Sequence, residues 1–178
     1  MDYHTMTIAG LTRQLPLCRV NERLRIAAFV IFGDVEMTEA AAAALLEKAP
    51  DFDVLLTAEA KGIPLAYEMA RRSGKPYLIA RKYPKLYMPE PVAVPVRSIT
   101  TDKEQTLYLD RSEMDQLRGR QVLLVDDVIS GGESIHALAQ LTRQAGGHIA
   151  GKGAILAEGN AADREDIFYL EPLPLFFD

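Results

Sequence analysis

Short apolar runs alternate with helical patterns through most of this chain. The apolar runs have the length and composition of buried strands and lie at residues 54 to 57, 76 to 80, 122 to 125 and 149 to 156. Helical patterns occupy residues 63 to 72 and 134 to 145, and a further one, with Thr38 as its expected N-cap, ends before Pro50. This alternation predicts an α/β fold whose mostly parallel central sheet is flanked by helices.

The two ends of the chain fall outside this alternation. Residues 1 to 37 and residues 158 to 178 are each too short to fold alone, so we expect them to pack together as a small hood over the sheet. The chain has 178 residues, of which 48% are hydrophobic, and this is enough for one well-packed core. We therefore predict a single domain over residues 1 to 178.

Composition narrows the class of protein. The formal net charge of −5 argues against a nonspecific nucleic-acid binder, because such proteins present a basic face. The single cysteine, Cys18, excludes an internal disulfide and a thiol-based zinc site. The sequence shows neither an apolar run of membrane-spanning length nor a signal peptide. We therefore expect a cytoplasmic protein with no membrane or nucleic-acid partner.

The most informative segment begins with the apolar run at residues 122 to 125. Asp126 and Asp127 end this run, and a loop of mostly small residues then leads into a helix: Ser130, Gly131, Gly132, Glu133 and Ser134. Loop amides and a helix N-terminus suit a phosphate, and the two carboxylates suit vicinal hydroxyls and the water shell of Mg²⁺. These groups together indicate a site for a ribose phosphate. An ordinary turn with a solvated acidic pair is the alternative, although charge at the end of a buried strand is costly.

Residues 122 to 134 resemble the ribose-phosphate motif of the type I phosphoribosyltransferases. The usual family loop reads Thr-Gly-Gly-Thr, so Gly131 stands where a threonine is common and Glu133 where a glycine is common. The resemblance implies the family fold with its hood, Mg²⁺ as cofactor, and a homodimer. It also implies transfer of ribose 5-phosphate from phosphoribosyl pyrophosphate to a purine base. In that reaction Asp126 and Asp127 would be the catalytic pair, holding the ribose hydroxyls and, through water, the metal.

Two further segments carry the positive charge that a pyrophosphate requires. The loop at 58 to 62 places Ala60 and Lys61 before a helix, and it resembles the Glu-Ala-Arg-Gly loop of adenine phosphoribosyltransferases. Arg81, Lys82 and Lys85 follow the next strand in a run that resembles the Arg-Lys and Lys-Leu segment of the adenine and xanthine branches. A solvated lysine and a basic surface turn are the respective alternatives.

The polar stretch from residue 98 to 105 has the composition of a mobile lid between two β-rich segments. Closure of such a lid would exclude water from a developing ribosyl cation. Lys103 is a candidate for pyrophosphate binding, and Glu104 is a candidate acid. A solvated hairpin is the alternative.

The resemblance also suggests which residues bind the base. Phe29 to Asp34 is similar to the Phe-x-Asp segment of adenine phosphoribosyltransferases, with Phe32 stacking on the ring and Ile31 beside it, although a core phenylalanine is an equal alternative. Glu158 stands where the xanthine branch has a lysine, and its carboxylate favours an amino group. We therefore expect adenine as the base, with xanthine, guanine or hypoxanthine as alternatives.

A regulator that senses phosphoribosyl pyrophosphate without catalysis is a different class of function that the same motifs allow. Transcription regulators that resemble this family carry an added DNA-binding domain, and we expect no room for one before the sheet begins. Retention of both aspartates and of the basic run favours an enzyme.

Overall fold

The apolar run at 122 to 125 becomes part of a strand at the centre of a parallel sheet. A computed structural model describes residues 2–97 and 104–177 of the chain. The strands are β1 (Tyr3–Ile8), β2 (Leu11–Arg19), β3 (Leu24–Ala27), β4 (Val54–Ala58), β5 (Tyr77–Ala80), β6 (Pro91–Arg97), β7 (Glu104–Asp110), β8 (Gln121–Ile129), β9 (His148–Glu158), β10 (Phe168–Leu173) and β11 (Leu175–Phe177). The helices are α1 (Val35–Lys48), α2 (Gly62–Ser73), α3 (Arg111–Leu117), α4 (Glu133–Gln144) and a 3-10 helix over Gly159–Asp163.

Five strands form the central sheet in the order β10-β9-β8-β4-β5, and every neighbouring pair is parallel. Successive side chains of β8 point to opposite faces, so Val122 and Leu124 pack in one apolar core while Leu123 and Val125 pack in the other. All four are fully buried, as expected for a strand covered on both faces. The prediction of a mostly parallel sheet flanked by helices is confirmed.

A separate sheet in the order β1-β2-β3-β11, here called the hood, brings the two ends of the chain together. β11 pairs antiparallel with β3, and β3 with β2. The expected boundaries of this unit differ from the observed ones in two places. Residues 35 to 37 belong to α1, and β10 pairs with β9 at the edge of the central sheet rather than joining the hood.

The start of α1 was wrongly placed at Thr38. Asp34 is the N-cap, and its carboxylate accepts a hydrogen bond from the Met37 amide at 3.1 Å. The Thr38 hydroxyl instead donates to the Asp34 carbonyl within the first turn. Asp34 is favoured as the N-cap because its carboxylate also pairs with Arg13 of β2, at 2.7 Å from the Arg13 Nε.

The segment between the basic run and β8 contains a hairpin of β6 and β7 followed by α3, a helix that sequence patterns did not indicate. A capping box fixes the start of α3, since Asp110 accepts from the Ser112 amide and Glu113 accepts from the Asp110 amide. An antiparallel bridge between Arg81 and Tyr108 ties this hairpin to the end of β5.

Within the described ranges, no helix is both long and apolar enough to cross a bilayer.

We expect Asp34→Ala to destabilise the protein by about 1–2 kcal/mol, because it removes both the α1 cap and the partner of Arg13. Arg13 holds the pKa of Asp34 below its usual value, chiefly through their hydrogen bonds. Asp34→Asn is the matched control: asparagine still caps a helix but carries no charge, so its cost should be smaller. Urea unfolding of the two variants measures the difference. Equal costs would show that the cap contributes nothing.

Candidate functional site

The carboxyl ends of β4, β5, β8 and β9 meet at one edge of the central sheet, because these strands are parallel neighbours. Ligands of open α/β sheets bind at this edge. The loop with Lys61 follows β4, the basic run from Arg81 follows β5, and the loop from Ser130 follows β8. Three segments selected from sequence for phosphate chemistry therefore lie at the same edge.

The two acidic residues lie in the last half of β8, which runs on to Ile129, and not beyond the end of the strand as the apolar run suggested. The Asp127 side chain is 6% exposed, and its Oδ2 lies 3.0 Å from Nζ of Lys61. The contact is an ion pair without hydrogen-bond geometry, and Oδ2 makes no hydrogen bond within the described part of the chain. The Asp127 amide donates to Oδ1 of Asp126 at 2.8 Å. Asp127 and Lys61 thus link the ends of β8 and β4.

Asp126 carries the most perturbed carboxyl of this site. Burial of the carboxyl, followed by the negative charge of Asp127, raises the pKa of Asp126 to about 8. Lys61 opposes this shift only weakly, because its ammonium pairs with Asp127. One member of the pair is therefore protonated near neutral pH in the unliganded protein, and a nearby cation would favour release of that proton.

The N-terminus of α2 approaches β8 closely because residue 62 is a glycine. A Cβ on Gly62 would lie 2.2 Å from Oγ1 of the buried Thr57 and 3.2 Å from Oδ1 of Asp126. The absence of a side chain lets the amides of this helix start come within reach of the acidic pair. The loop also has a cis peptide between Glu59 and Ala60. Lys61 Nζ donates to the carbonyl of Phe29 at 3.4 Å, which connects this loop to the chain leaving the hood.

Helix capping distinguishes the helices of this site from the others. Of the four α-helices in the described ranges, α1 and α3 are capped by the carboxylates of Asp34 and Asp110. In contrast, the N-cap residues of α2 and α4 are Lys61 and Gly132, and neither makes a side-chain hydrogen bond to the helix. In α2 the Ile63 amide donates to the Ala60 carbonyl at 3.2 Å instead. A helix start without a side-chain cap is suited to an anion at the sheet edge.

The predicted 5-phosphate loop encloses a cavity of about 140 Å³. Its lining consists of Asp126 and residues 128 to 135, which include Ser130, Gly131, Gly132, Glu133 and Ser134. Gly132 has φ of +84°, a left-handed conformation that glycine adopts without strain. Two charged groups flank the loop: the Glu133 carboxylate folds over Gly131, and the Arg164 guanidinium lies against Gly132. Sequence reasoning missed Arg164, because it lies 30 positions further along the chain, after the 3-10 helix.

Two cations of the basic run, Arg81 and Lys85, have acidic partners. Arg81 Nη1 lies 2.6 Å from Oε1 of Glu113 and also donates to the Ile79 carbonyl. Lys85 Nζ lies 3.6 Å from Oε1 of Glu59, and the Lys82 amide donates to the other oxygen of Glu59 at 3.1 Å. Arg81 therefore links the end of β5 to α3. Sequence reasoning had not selected Glu59, although it lies within the quoted loop motif.

The residues selected for base binding, Ile31, Phe32 and Glu158, differ in their exposure. Ile31 is 1% exposed and packs in the core beneath the hood, whereas Phe32 is 51% exposed. Glu158 ends β9, partly exposed, in register with Leu173 of β10. Ile31 also lines a groove of about 390 Å³ beside α2, together with Tyr67 and Tyr77. Lys103 lies outside the described residues, and Glu104 begins β7.

A family model described as the phosphoribosyl transferase domain matches residues 35–170 of the chain. The chain belongs to this family. The phosphoribosyltransferase match includes the Lys61 loop, the basic run, both aspartates and the loop from Ser130 to Ser134.

Three relatives differ in what they are named for. A hypoxanthine/guanine phosphoribosyltransferase of Methanothermococcus okinawensis is 35% identical over 64% of this chain and 58% of its own length. The purine biosynthesis transcriptional repressor PurR of Bacillus subtilis is 33% identical over 61% of this chain, and this chain spans only 38% of the repressor. An adenine phosphoribosyltransferase of Rhodococcus jostii is 32% identical over 76% of this chain and 74% of its own length.

The phosphoribosyltransferase fold is also seen among solved structures. Adenine phosphoribosyltransferase from Thermoanaerobacter pseudethanolicus superposes with a TM-score of 0.66, at 24% identity, over 80% of this chain and 84% of its own. At this identity the likeness shows the fold and does not decide the base.

The raised pKa of Asp126 predicts how stability depends on pH. The unfolded carboxyl titrates near 3.8 and the folded one near 8, so its stabilising contribution is complete below about pH 4 and is lost as pH rises to about 8. Relative to Asp126→Asn, the wild-type free energy of unfolding should therefore decline across this window. Urea unfolding at several pH values measures the decline, with the exposed Asp115→Asn as a control that keeps the wild-type slope. If the free energy of unfolding varied with pH in the same way for wild type and Asp126→Asn, the raised pKa of Asp126 would be contradicted.

Proposed function

We propose that this chain transfers ribose 5-phosphate from phosphoribosyl pyrophosphate to a purine base, giving the nucleoside monophosphate and pyrophosphate. The observation that carries the proposal is the pairing of Asp127 with Lys61 at 3.0 Å. This contact brings a carboxylate suited to ribose hydroxyls beside a cation suited to pyrophosphate. Family membership supports the same reaction class.

The loop after β8 is suited to the 5-phosphate of the sugar. Its cavity of about 140 Å³ lies directly beside Asp126, so a phosphate there places the ribose ring over the acidic pair. The uncapped start of α4 supplies amide donors and a positive helix dipole end. Phosphate and hydroxyls are thus bound by one continuous segment, from Asp126 to Ser134.

The acidic pair also fits Mg²⁺. Asp127 Oδ2 is buried without a hydrogen bond in the described chain, and burial disfavours ionisation of Asp126, so both would gain from a cation. The described residues contain no cluster of three possible metal-ligating side chains. This suits Mg²⁺, which takes one or two carboxylates and otherwise water and substrate oxygens. When bound, Mg²⁺ would neutralise charge on the pyrophosphate leaving group.

In the proposed reaction a base nitrogen forms a bond to C1 of the ribose while the bond from C1 to the pyrophosphate oxygen breaks. The base gives up its ring N–H proton to water, and C1 acquires positive character between the two partial bonds. The fixed negative charge of the pair formed by Asp126 and Asp127 stabilises that character. We assign the departing pyrophosphate to the Lys61 ammonium and the N-terminus of α2, and the contact of Lys61 with Asp127 supports this assignment.

Adenine is the base that we propose. Glu158 ends β9 beside β8, and an acceptor at that position favours the exocyclic amino group of adenine over the carbonyl of an oxopurine. The half-exposed ring of Phe32 is available for stacking on a base. Relatives named for adenine and for hypoxanthine and guanine match at similar identity and do not decide the base, so the choice of adenine rests on our assignment of Glu158 and Phe32.

Pyrophosphate release in the presence of phosphoribosyl pyrophosphate and Mg²⁺ tests the proposal. We expect release with adenine well above release with xanthine, guanine, hypoxanthine, uracil and orotate. The double variant Asp126→Asn with Asp127→Asn should lose at least about a hundredfold in kcat, because it removes the charge that stabilises C1. The exposed Asp115→Asn should keep wild-type turnover. Full activity of the double variant would refute the catalytic role.

A regulator that binds phosphoribosyl pyrophosphate without turnover is the second candidate, favoured by the match to the PurR repressor. The same assay separates the two. Binding of phosphoribosyl pyrophosphate without reaction of any base would favour the regulator, whereas turnover of an oxopurine would keep the mechanism and discard the roles of Glu158 and Phe32.

We also propose that the protein is a homodimer. Tyr83, Leu86 and Tyr87 are large, exposed side chains on the basic run, and such a patch is typical of an interaction surface. Wild-type protein should sediment at twice the chain mass of 19.7 kDa, and Leu86→Glu should sediment as a single chain. Val20→Glu changes an exposed apolar residue elsewhere and should stay dimeric. Monomeric wild-type protein would contradict the proposal.

A further inference from the structure

Arg164 directs part of its guanidinium at the phosphate loop. A Cβ placed on Gly132 would lie 2.6 Å from Arg164 Nη1, so this nitrogen occupies the space that a side chain at position 132 would fill. Gly132 is the N-cap of α4 and lines the cavity proposed for the 5-phosphate. An arginine from outside the loop motif therefore reaches the start of α4.

The orientation of Arg164 is fixed from behind. Its Nε and Nη2 each donate to Asp166 at 2.8 Å, a fork that leaves Nη1 on the side of Gly132. Asp166 is held in turn by Lys152, at 3.2 Å. The Arg164 side chain is 31% exposed, and its Nη1 is the nitrogen nearest to Gly132. This is the arrangement of a preorganised cation.

The loop also contains a carboxylate of its own. A Cβ on Gly131 would lie 2.4 Å from Oε2 and 2.6 Å from Oε1 of Glu133, so this side chain folds back over the loop. Glu133 is in the first turn of α4 and lines the same cavity. A phosphate in that cavity meets a like charge at close range, which weakens its binding unless a cation offsets it.

We propose that Arg164 is a ligand of the sugar 5-phosphate and offsets the repulsion from Glu133. This inference rests on the proposed function and adds a phosphate-binding residue to it. The helix amides and Nη1 of Arg164 would then contact the phosphate from two sides, with Asp166 as the positioning residue for Arg164.

Binding of two probes, ribose 5-phosphate and inorganic pyrophosphate with Mg²⁺, tests the role by titration calorimetry. Arg164→Gln should weaken ribose 5-phosphate about tenfold or more, the scale of one charged hydrogen bond, and leave pyrophosphate unchanged. Glu133→Gln should tighten ribose 5-phosphate, and the double variant should return toward wild type. Asp166→Asn should weaken it less than Arg164→Gln does. Arg118→Gln, at the opposite edge of the sheet, is the control and should match wild type.

The outcomes separate this inference from the proposed function. If wild-type protein binds neither ribose 5-phosphate nor phosphoribosyl pyrophosphate, both fail. If wild type binds and Arg164→Gln binds equally well, the role of Arg164 is refuted while the proposed function stands. Should Arg164→Gln fail to fold, Arg164→Lys and Glu133→Gln carry the test, and wild-type affinity in both overturns the inference. Equal loss of both probes in Arg164→Gln would also refute a phosphate-specific role.

Discussion

Two adjacent carboxyl groups are buried in the last half of β8, and neighbouring parts of the structure compensate the free energy that this burial costs. A buried carboxylate is costly unless a counter-charge or hydrogen bonds compensate it. Here Lys61 compensates Asp127, while Asp126 responds by a raised pKa. Lys61 reaches this position because Gly62 lets the start of α2 pack against Thr57 and β8. The acidic pair therefore constrains the loop after β4, the identity of residue 62 and the approach of the hood at Phe29.

The α-helices differ in whether a side chain caps their N-termini. Asp34 and Asp110 cap helices that hold the hood and the hairpin of β6 and β7 in place, and both are partnered within the chain. The two helices of the candidate site, α2 and α4, have Lys61 and Gly132 as N-cap residues, and neither residue makes a side-chain cap. Leaving these amides without a side-chain acceptor forgoes about 1 kcal/mol per helix. Departures from local rules of this kind concentrate at functional sites.

Local patterns predicted the parts of the fold that depend on neighbouring residues. Apolar runs placed four of the five parallel strands, and the helical pattern at 63 to 72 placed α2 to within one residue at each end. The strand order then brought Lys61 and Asp127 to one edge. The same patterns failed where a distant partner decides the outcome. Asp34 displaced Thr38 as the N-cap because Arg13, 21 positions earlier, pairs with it. Arg164 could not be found from the loop motif, since it follows β9 and the 3-10 helix and comes near Gly132 only in the folded chain.

Charge balance explains how an acidic chain holds cations for an anionic ligand. Lys61, Lys85 and Arg81 are each paired with a carboxylate, on Asp127, Glu59 and Glu113 respectively. An anion that took Lys61 for itself would leave Asp127 buried without its counter-charge, and this penalty opposes binding of a bare anion. A ligand that brings a divalent cation with its phosphates replaces both partners at once. In the proposed reaction, the pairing of Lys61 with Asp127 would therefore favour an anion that arrives with a metal, and this preference would follow from the same burial that raises the pKa of Asp126.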